Sequence, residues 1–349
     1  MTTPPVSAAE SPVRDRADAV PALRKFAVRT ATTPPDGPPT DSTPQPSVPL
    51  QLEHKSRGRA IKDVVARIVM WASFGLAMVP LVWILFTVVS NGVGLLLKSS
   101  WWTNSQRNIN STDAGGGAIH AIQGTLLLAG VTAVIAVPIG VLTAIYLVEY
   151  GRGPVARAVS FMVDILTGVP SIVAALFVYA VWVTTFGFQR VGFAVCLALV
   201  LLMLPVVVRS TEEMLKLVPN ELREASYALG VPKWVTIVRI VLPTAFSGIV
   251  TGILLGLARI IGETAPLLII CGATDSVNFN LFNGRMMTLP VYIFSQYSSP
   301  GVVGPDGGDP PGYARAWGAA LVLIVIVMVL NLVARIIGSY FAPKTERRR

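Results

Sequence analysis

The chain has 349 residues, 53% of them hydrophobic and 13% charged, with a mean hydropathy of +0.63; soluble domains carry about 25% charged residues, so an ordinary water-soluble fold is excluded and an integral membrane protein is the prior. The net charge of +9 does not indicate nucleic acid, because the basic residues flank apolar stretches and form no aromatic-interleaved patch. Cys196 and Cys271 both fall inside apolar runs and support neither a disulfide framework nor a metal site.

Residues 1–60 are rich in Pro, Ser, Thr and Ala and contain no long apolar run. They are expected to be a disordered cytoplasmic tail, since they cannot bury enough apolar surface to offset ordering entropy. Nothing in them resembles a secretory signal, so the first span is expected to act as an uncleaved anchor. Residues 61–349 are read as one transmembrane domain. The first span covers about 68–97, behind Lys55, Arg57, Arg59, Lys62 and Arg67, and Trp101 and Trp102 follow as an expected interfacial pair. His120, beside the second span, is expected to be a further interfacial anchor. Spans two to four cover about 119–148, 156–186 and 191–208. Gly168 and Pro170 break regular helix inside the third, which a bilayer permits only where protein or a cavity satisfies the freed backbone. Asp164 in that span is expected to hydrogen-bond a neighbouring helix.

A polar segment from Arg209 to Arg239 reads as the principal cytoplasmic loop, before a fifth span at about 240–271 and a last one at about 317–341. Between these, a Gly-, Pro- and Asn-rich segment is expected outside, with the cluster at Pro305 to Pro311 as a turn. Met287 to Ile293 is too short to cross and reads as an interfacial or re-entrant piece. Six spans place Arg209, Lys216, Arg223, Lys233, Arg239 and both basic termini on one side, as the positive-inside rule requires. The fold class is therefore all-α integral membrane, with both termini cytoplasmic.

Within the cytoplasmic loop, Pro219 is placed to start a helix, Gly230 to stop it in a left-handed conformation, and Pro232 to open a second helix. Leu222, Ala225 and Leu229 share one side at helical spacing, so the helix-turn-helix can dock through that side. In the fifth span Gly248, Gly252 and Gly256 form a small-residue ridge that admits another helix closely. Arg259 and Glu263 project from nearly the same face and, one turn apart, can pair. Ionisable residues inside a membrane cost some 2.5–3.5 kcal/mol each, so these two are functional candidates; a mutual pair that only stabilises the bundle is the bland alternative.

Glu224-Ala225-Ser226, Gly230, Ile240 and Leu242-Pro243 resemble the EAA loop of ABC importer permeases, whose loop enters a cleft of a cytoplasmic ATPase. The resemblance gives Glu224, Ala225, Gly230 and Pro243 coupling roles in a loop at 219–243; the third position, usually Ala, is Ser226 here. Leu257 to Leu268 is similar to the fifth-helix motif of the PstA-type phosphate permease family, as are Leu166 to Val173 and Met287 to Pro290. The resemblance covers about residue 65 to the end. It implies a six-helix ABC importer permease bundle with a cytoplasmic coupling helix-turn-helix in a bacterial inner membrane. It also implies import of inorganic phosphate, with Arg259, Glu263 and Thr264 on the substrate pathway. The implied partners are a second phosphate permease chain forming a heterodimer, an ATPase subunit dimer that binds ATP and Mg, and an extracytoplasmic phosphate-binding protein.

The chain carries no Gly-rich loop ending in Gly-Lys-Ser/Thr and no His-Glu-x-x-His helix. It is therefore expected to have no catalytic residues, metal or cofactor of its own. A permease for another oxyanion, such as sulfate or molybdate, stays open, as does a passive anion channel.

Overall fold

A computed structural model describes residues 57–109, 113, 115–303 and 307–341. The expected tail as far as residue 56, the C-terminal basic residues Lys344 and Arg347 to Arg349, and Pro305 and Asp306 of the turn cluster lie outside these residues, whereas 57–60, expected in the tail, open a helix. The chain divides into two units at Val64 and Val65, and the unit from Val65 onward carries the bundle described below. The described residues are helical or irregular, without strands.

The helices are α1 (Arg57–Leu96), α2 (Ser99–Thr103), α3 (Ile119–Ile145), α4 (Pro154–Thr167), α5 (Ser171–Tyr179), α6 (Gly192–Lys216), α7 (Asn220–Ala228), α8 (Lys233–Thr236), α9 (Leu242–Ile261), α10 (Leu289–Ser298) and α11 (Pro311–Phe341). Wide π turns extend α3 over Tyr146–Tyr150 and α5 over Ala180–Thr185, join α8 to α9 over Ile237–Val241, and form Leu267–Cys271. Among the described residues, five helical stretches are long and apolar enough to cross a membrane; α4 and α5 pass only as a pair bent by 108°. The third span is therefore not one straight crossing. Pro170 has no amide to donate and restricts Val169 to extended backbone. The chain accordingly leaves α4 at Gly168 and restarts at Ser171, with Pro170 at φ −62° and ψ 141°.

Helix α6 is the centre of the bundle: 67% of its apolar window is buried, against 6% for α1. It packs against α3, α4, α5 and α9, while α11 packs against α9 and α10. The core joins Leu128 of α3, Val195, Leu199 and Met203 of α6, Ile260 and Ile261 of α9, and Leu289 and Tyr292 of α10. Most of α1 is exposed along its apolar length. Its last turns approach α11, where Gly92 lies against the Trp317 carbonyl and Leu321.

Three sequence expectations change. The fourth span does not stop near 208: its helix runs on into the polar segment before the α7–α8 turn begins. Helix α6 continues to Lys216 because ion pairs support its polar extension: Arg209 pairs with Glu212 at 2.5 Å and Lys216 with Glu212 at 2.7 Å. Trp101 and Trp102 are not an interfacial pair. Trp101 is 1% exposed in the core beside Tyr292, whereas Trp102 is 41% exposed. His120 is likewise buried, its ring edge-on to Tyr292 at 5.1 Å, rather than anchoring an interface.

The short 287–293 piece is the start of α10. Its first turn is held between α3 and α11, with the Leu289 amide donating to Thr125 Oγ1 at 2.8 Å and Tyr292 Oη to Gln106 Oε1 at 3.0 Å. Both cysteines are buried free thiols.

Candidate functional site

Two regions carry the candidate residues: the α7–α8 turn at one end of α6 and α9, and the break that follows α9 at its other end.

Helix α7 opens after Pro219, whose φ of −56° and ψ of 140° place it just outside the first turn. It closes on Gly230 at φ +76°. The Gly230 amide donates to the Tyr227 carbonyl at 2.9 Å and the Val231 amide to the Ser226 carbonyl at 3.2 Å. This double bond pattern satisfies two of the orphan carbonyls at a helix end and needs a left-handed residue at its centre. Nothing lies within 4 Å of where a Gly230 side chain would begin, so backbone conformation, not space inside the chain, demands glycine there.

Ser226 faces inward and its hydroxyl meets Thr236 Oγ1 at 2.8 Å, tying α7 to α8. Glu224 and Ala225 are exposed, as are Leu222, Leu229 and Trp234. The turn thus presents exposed apolar side chains beside the Glu224 carboxylate. Pro243 stands in the first turn of α9, directly after the π turn. Helices absorb a missing amide most readily at such a widened turn.

Arg223 holds this turn to the bundle, a role that sequence reasoning missed. Its guanidinium pairs with Glu149 at 3.0 Å, with the two side chains 12% and 5% exposed. It also donates to the carbonyls of Val218 at 2.7 Å and Leu215 at 2.9 Å, which cap the end of α6. Lys233 donates to the Glu149 carbonyl and lies over the Tyr150 ring at 4.7 Å. One arginine therefore links α7, the end of α6 and the end of α3. A lone acid, Glu149, in a short connection between two spans was the available signal.

Asp164 meets Arg209 of α6 at 2.5 Å, and Arg209 also donates to the Ser160 carbonyl at 3.1 Å. This is a bond to a neighbouring helix. It continues the α6 ion-pair ladder onto α4, on the side of the Gly168–Pro170 break.

Along α9 the three glycines face α6. Gly248 lies against Met214 and Gly252 against Ser210, each too close for an added carbon without movement. Gly256 has ordinary room, its nearest neighbour being Met203 Cγ at 3.5 Å from an ideal Cβ. Arg259 is exposed on the last turn of α9 and Glu263 is half-buried beyond it.

The two do not form an ion pair, contrary to the expectation from one-turn spacing. The helix ends at Ile261, where the Gly262 amide turns back to Arg259 O and the Glu263 amide to Ile260 O, each at 3.2 Å. The tightened turn takes Glu263 off the α9 face and into a small recess with Thr125, Leu199, Leu267 and Thr288. Thr264, half-buried, accepts the Leu268 amide through its carbonyl at 3.3 Å and so starts the next turn. Arginine, glutamate and threonine thus surround a helix break of the kind tolerated at membrane depth only beside protein or a water-filled path.

A bundle of long apolar helices with two interrupted segments, charges at the interruption, and an exposed helical turn at one end is the architecture of an importer permease. The fold is similar to a chain of the bacterial alginate ABC transporter in complex with alginate pentasaccharide-bound periplasmic protein, with a TM-score of 0.54 at 15% identity, covering 80% of this chain and 96% of that one. The chain belongs to the family of binding-protein-dependent transport system inner membrane components, whose family model matches residues 136–347. It is 52% identical over 305 residues to the phosphate transport system permease protein PstA 1 of Mycobacterium tuberculosis, covering 87% of this chain and 96% of that protein. To the phosphate transport system permease protein PstA of Mycobacterium leprae it is 52% identical over 308 residues, covering 88% and 97%.

Proposed function

We propose that the chain is the transmembrane permease subunit of an ATP-driven importer of inorganic phosphate. The observation that carries this reading is the 52% identity to phosphate permeases over nearly their whole length. It is supported by an α7–α8 turn whose docking face is exposed while its internal side is fixed by Arg223 and Glu149. The chain itself performs no covalent chemistry. ATP and Mg belong to a pair of partner ATPase subunits, which grip Glu224, Ala225 and Leu229. A second permease chain completes the pathway as a heterodimer, and an extracytoplasmic binding protein delivers phosphate. Both termini and the α7–α8 turn lie on the cytoplasmic side of the bacterial inner membrane, as the basic residues around that turn require.

When the ATPase pair closes, force enters at α7. It passes through Arg223 to the ends of α3 and α6, because that guanidinium bonds both. Helix α9 follows α6 through the close contacts at Gly248 and Gly252. Arg259 offers a planar, permanently charged fork to the tetrahedral oxyanion. Glu263, unpaired with it, keeps the anion from resting there too tightly, since conduction needs entry without trapping.

The test is uptake of labelled phosphate at low external concentration in the native host lacking this gene, with labelled sulfate in parallel. Complementation should restore phosphate uptake and leave sulfate uptake unchanged. Restored sulfate uptake alone would move the reading to another oxyanion, and phosphate flux that persists without ATP would make the chain a passive channel.

A further inference from the structure

At the end of α6 and α9 away from the α7–α8 turn, a second constellation of charges has no role in the mechanism above. Helix α6 begins at Gly192 and its 25 residues separate the two ends by roughly 37 Å at 1.5 Å per residue. An open recess there is lined by Arg190 from the α5–α6 connection, Arg285 and Asn283 from the segment before α10, Leu268 from the π turn after the α9 break, and Gly272 directly after that turn. No carboxylate is among the lining residues.

The walls are built rather than loose. Arg190 donates to Tyr179 Oη at 2.5 Å and lies over that ring at 5.0 Å, which fixes its guanidinium without neutralising it. The Asn278 side chain donates to the carbonyls of Asn283 at 2.8 Å and Arg285 at 2.9 Å, closing the 278–285 segment on itself. Gly272 turns at φ +76° beside the Arg285 stem, so backbone conformation rather than space asks for glycine there. The nearest acid in sequence, Asp275, is not among the lining residues. Burial pushes its carboxyl up, and Arg315 partly offsets this.

Two guanidinium groups with no carboxylate between them attract anions, and their planar forks match tetrahedral oxyanions. The recess is also continuous in sequence with the inner site. Leu267 lines the small recess with Glu263, and Leu268, its neighbour, lines the recess with the two arginines.

We propose that the Arg190–Arg285 recess is a low-affinity subsite for a free tetrahedral oxyanion, which the ion occupies before it reaches Arg259 and the break at Gly262. Its open volume of about 890 Å³ is that of a vestibule rather than a closed cage, so the site concentrates the ion by charge and releases it readily. The passage order rests on the phosphate-import reading; the anion subsite does not.

The experiment uses the full chain purified with its co-purifying subunits in a phosphorus-free detergent, with inorganic phosphate as the probe. Exchange broadening of the phosphate ³¹P resonance is measured for wild type, the double variant Arg190→Gln/Arg285→Gln and the charge-keeping double variant Arg190→Lys/Arg285→Lys. Wild type should broaden the line, the Gln pair should lose at least two-thirds of that broadening, and the Lys pair should recover most of it. Raising the salt to about 1 M, where the Debye length is near 3 Å, should suppress the wild-type effect. Equal elution volume on gel filtration confirms that the variants are folded.

Unchanged broadening in the Gln pair overturns the proposal, as does absent broadening in a wild type that transports phosphate normally. Loss of binding-protein association in the Gln pair, with the ³¹P broadening intact, also overturns it and makes the surface a protein-docking site. Broadening in a wild type that imports no phosphate upholds the anion subsite and sinks the import reading alone.

Discussion

Two single side chains set how the ends of the bundle are held. Arg223 and Glu149 form a largely buried ion pair, and removing one partner of such a pair leaves an uncompensated charge at a cost of about 3–5 kcal/mol. Arg223→Ala should therefore lower the melting temperature of the purified complex and release the ATPase subunits, because the carbonyls of Leu215 in α6 and Val218 just beyond it lose their donor as well. The double variant Arg223→Met/Glu149→Met should recover most of the melting loss; a thermal-shift series on the three proteins checks this. The glycine ridge separates in the same way. Gly252→Ala places a carbon against the short, immobile Ser210 side chain, an overpacking worth about 1–3 kcal/mol. Gly256→Ala meets only ordinary contacts and gains about 1 kcal/mol of helix propensity. Melting temperatures should fall for the first and stay level or rise for the second. The sequence shows three equivalent glycines at four-residue spacing; which of them is needed depends on the residue opposite, and spacing does not contain that.

At the scale of the element, the α7–α8 turn was legible almost whole. Pro219, Gly230 and Pro232 act through local backbone preferences, so their meaning survives without knowledge of the rest of the fold. Gly230→Asp should leave the chain in the membrane, since nothing inside the protein crowds that position. It should nevertheless abolish ATP-driven uptake, because φ of +76° is costly for other residues and a new carboxylate would stand on the docking face. Membrane fractionation together with uptake measures both halves of that outcome. The α9 break was not legible in the same way. Periodicity extends a helix until something stops it, and Gly262 alone is a weak stop. Only the returning bonds from Gly262 and Glu263 show that Arg259 and Glu263 diverge instead of pairing. The continuation of α6 to Lys216 has a similar origin, because the ion-pair ladder that supports polar helix outside the apolar stretch includes Asp164 from a distant helix.

For the whole molecule, the exposed placement of Arg259 in a single chain fits a pathway completed by a second permease. Arg259→Ala should reduce phosphate uptake at least tenfold with the assembly intact. Arg259→Lys should retain part of it, since an ammonium keeps the charge but not the planar fork. Initial uptake rates with immunodetection of each subunit decide this. A purely structural arginine would show instead as loss of the assembled complex.

The sequence by itself determined the class, the approximate spans, the α7–α8 turn and the resemblance to phosphate permeases. Each of these rests on composition, on local backbone preference or on a contiguous motif, all of which act over a few residues. Tertiary structure alone decided the burial of Trp101 and His120, the seating of α10 against Thr125 and the anchoring of α7 by Glu149. Those are contacts between residues tens of positions apart. Their partners are chosen by packing around α6, whose own burial follows from the helices that surround it.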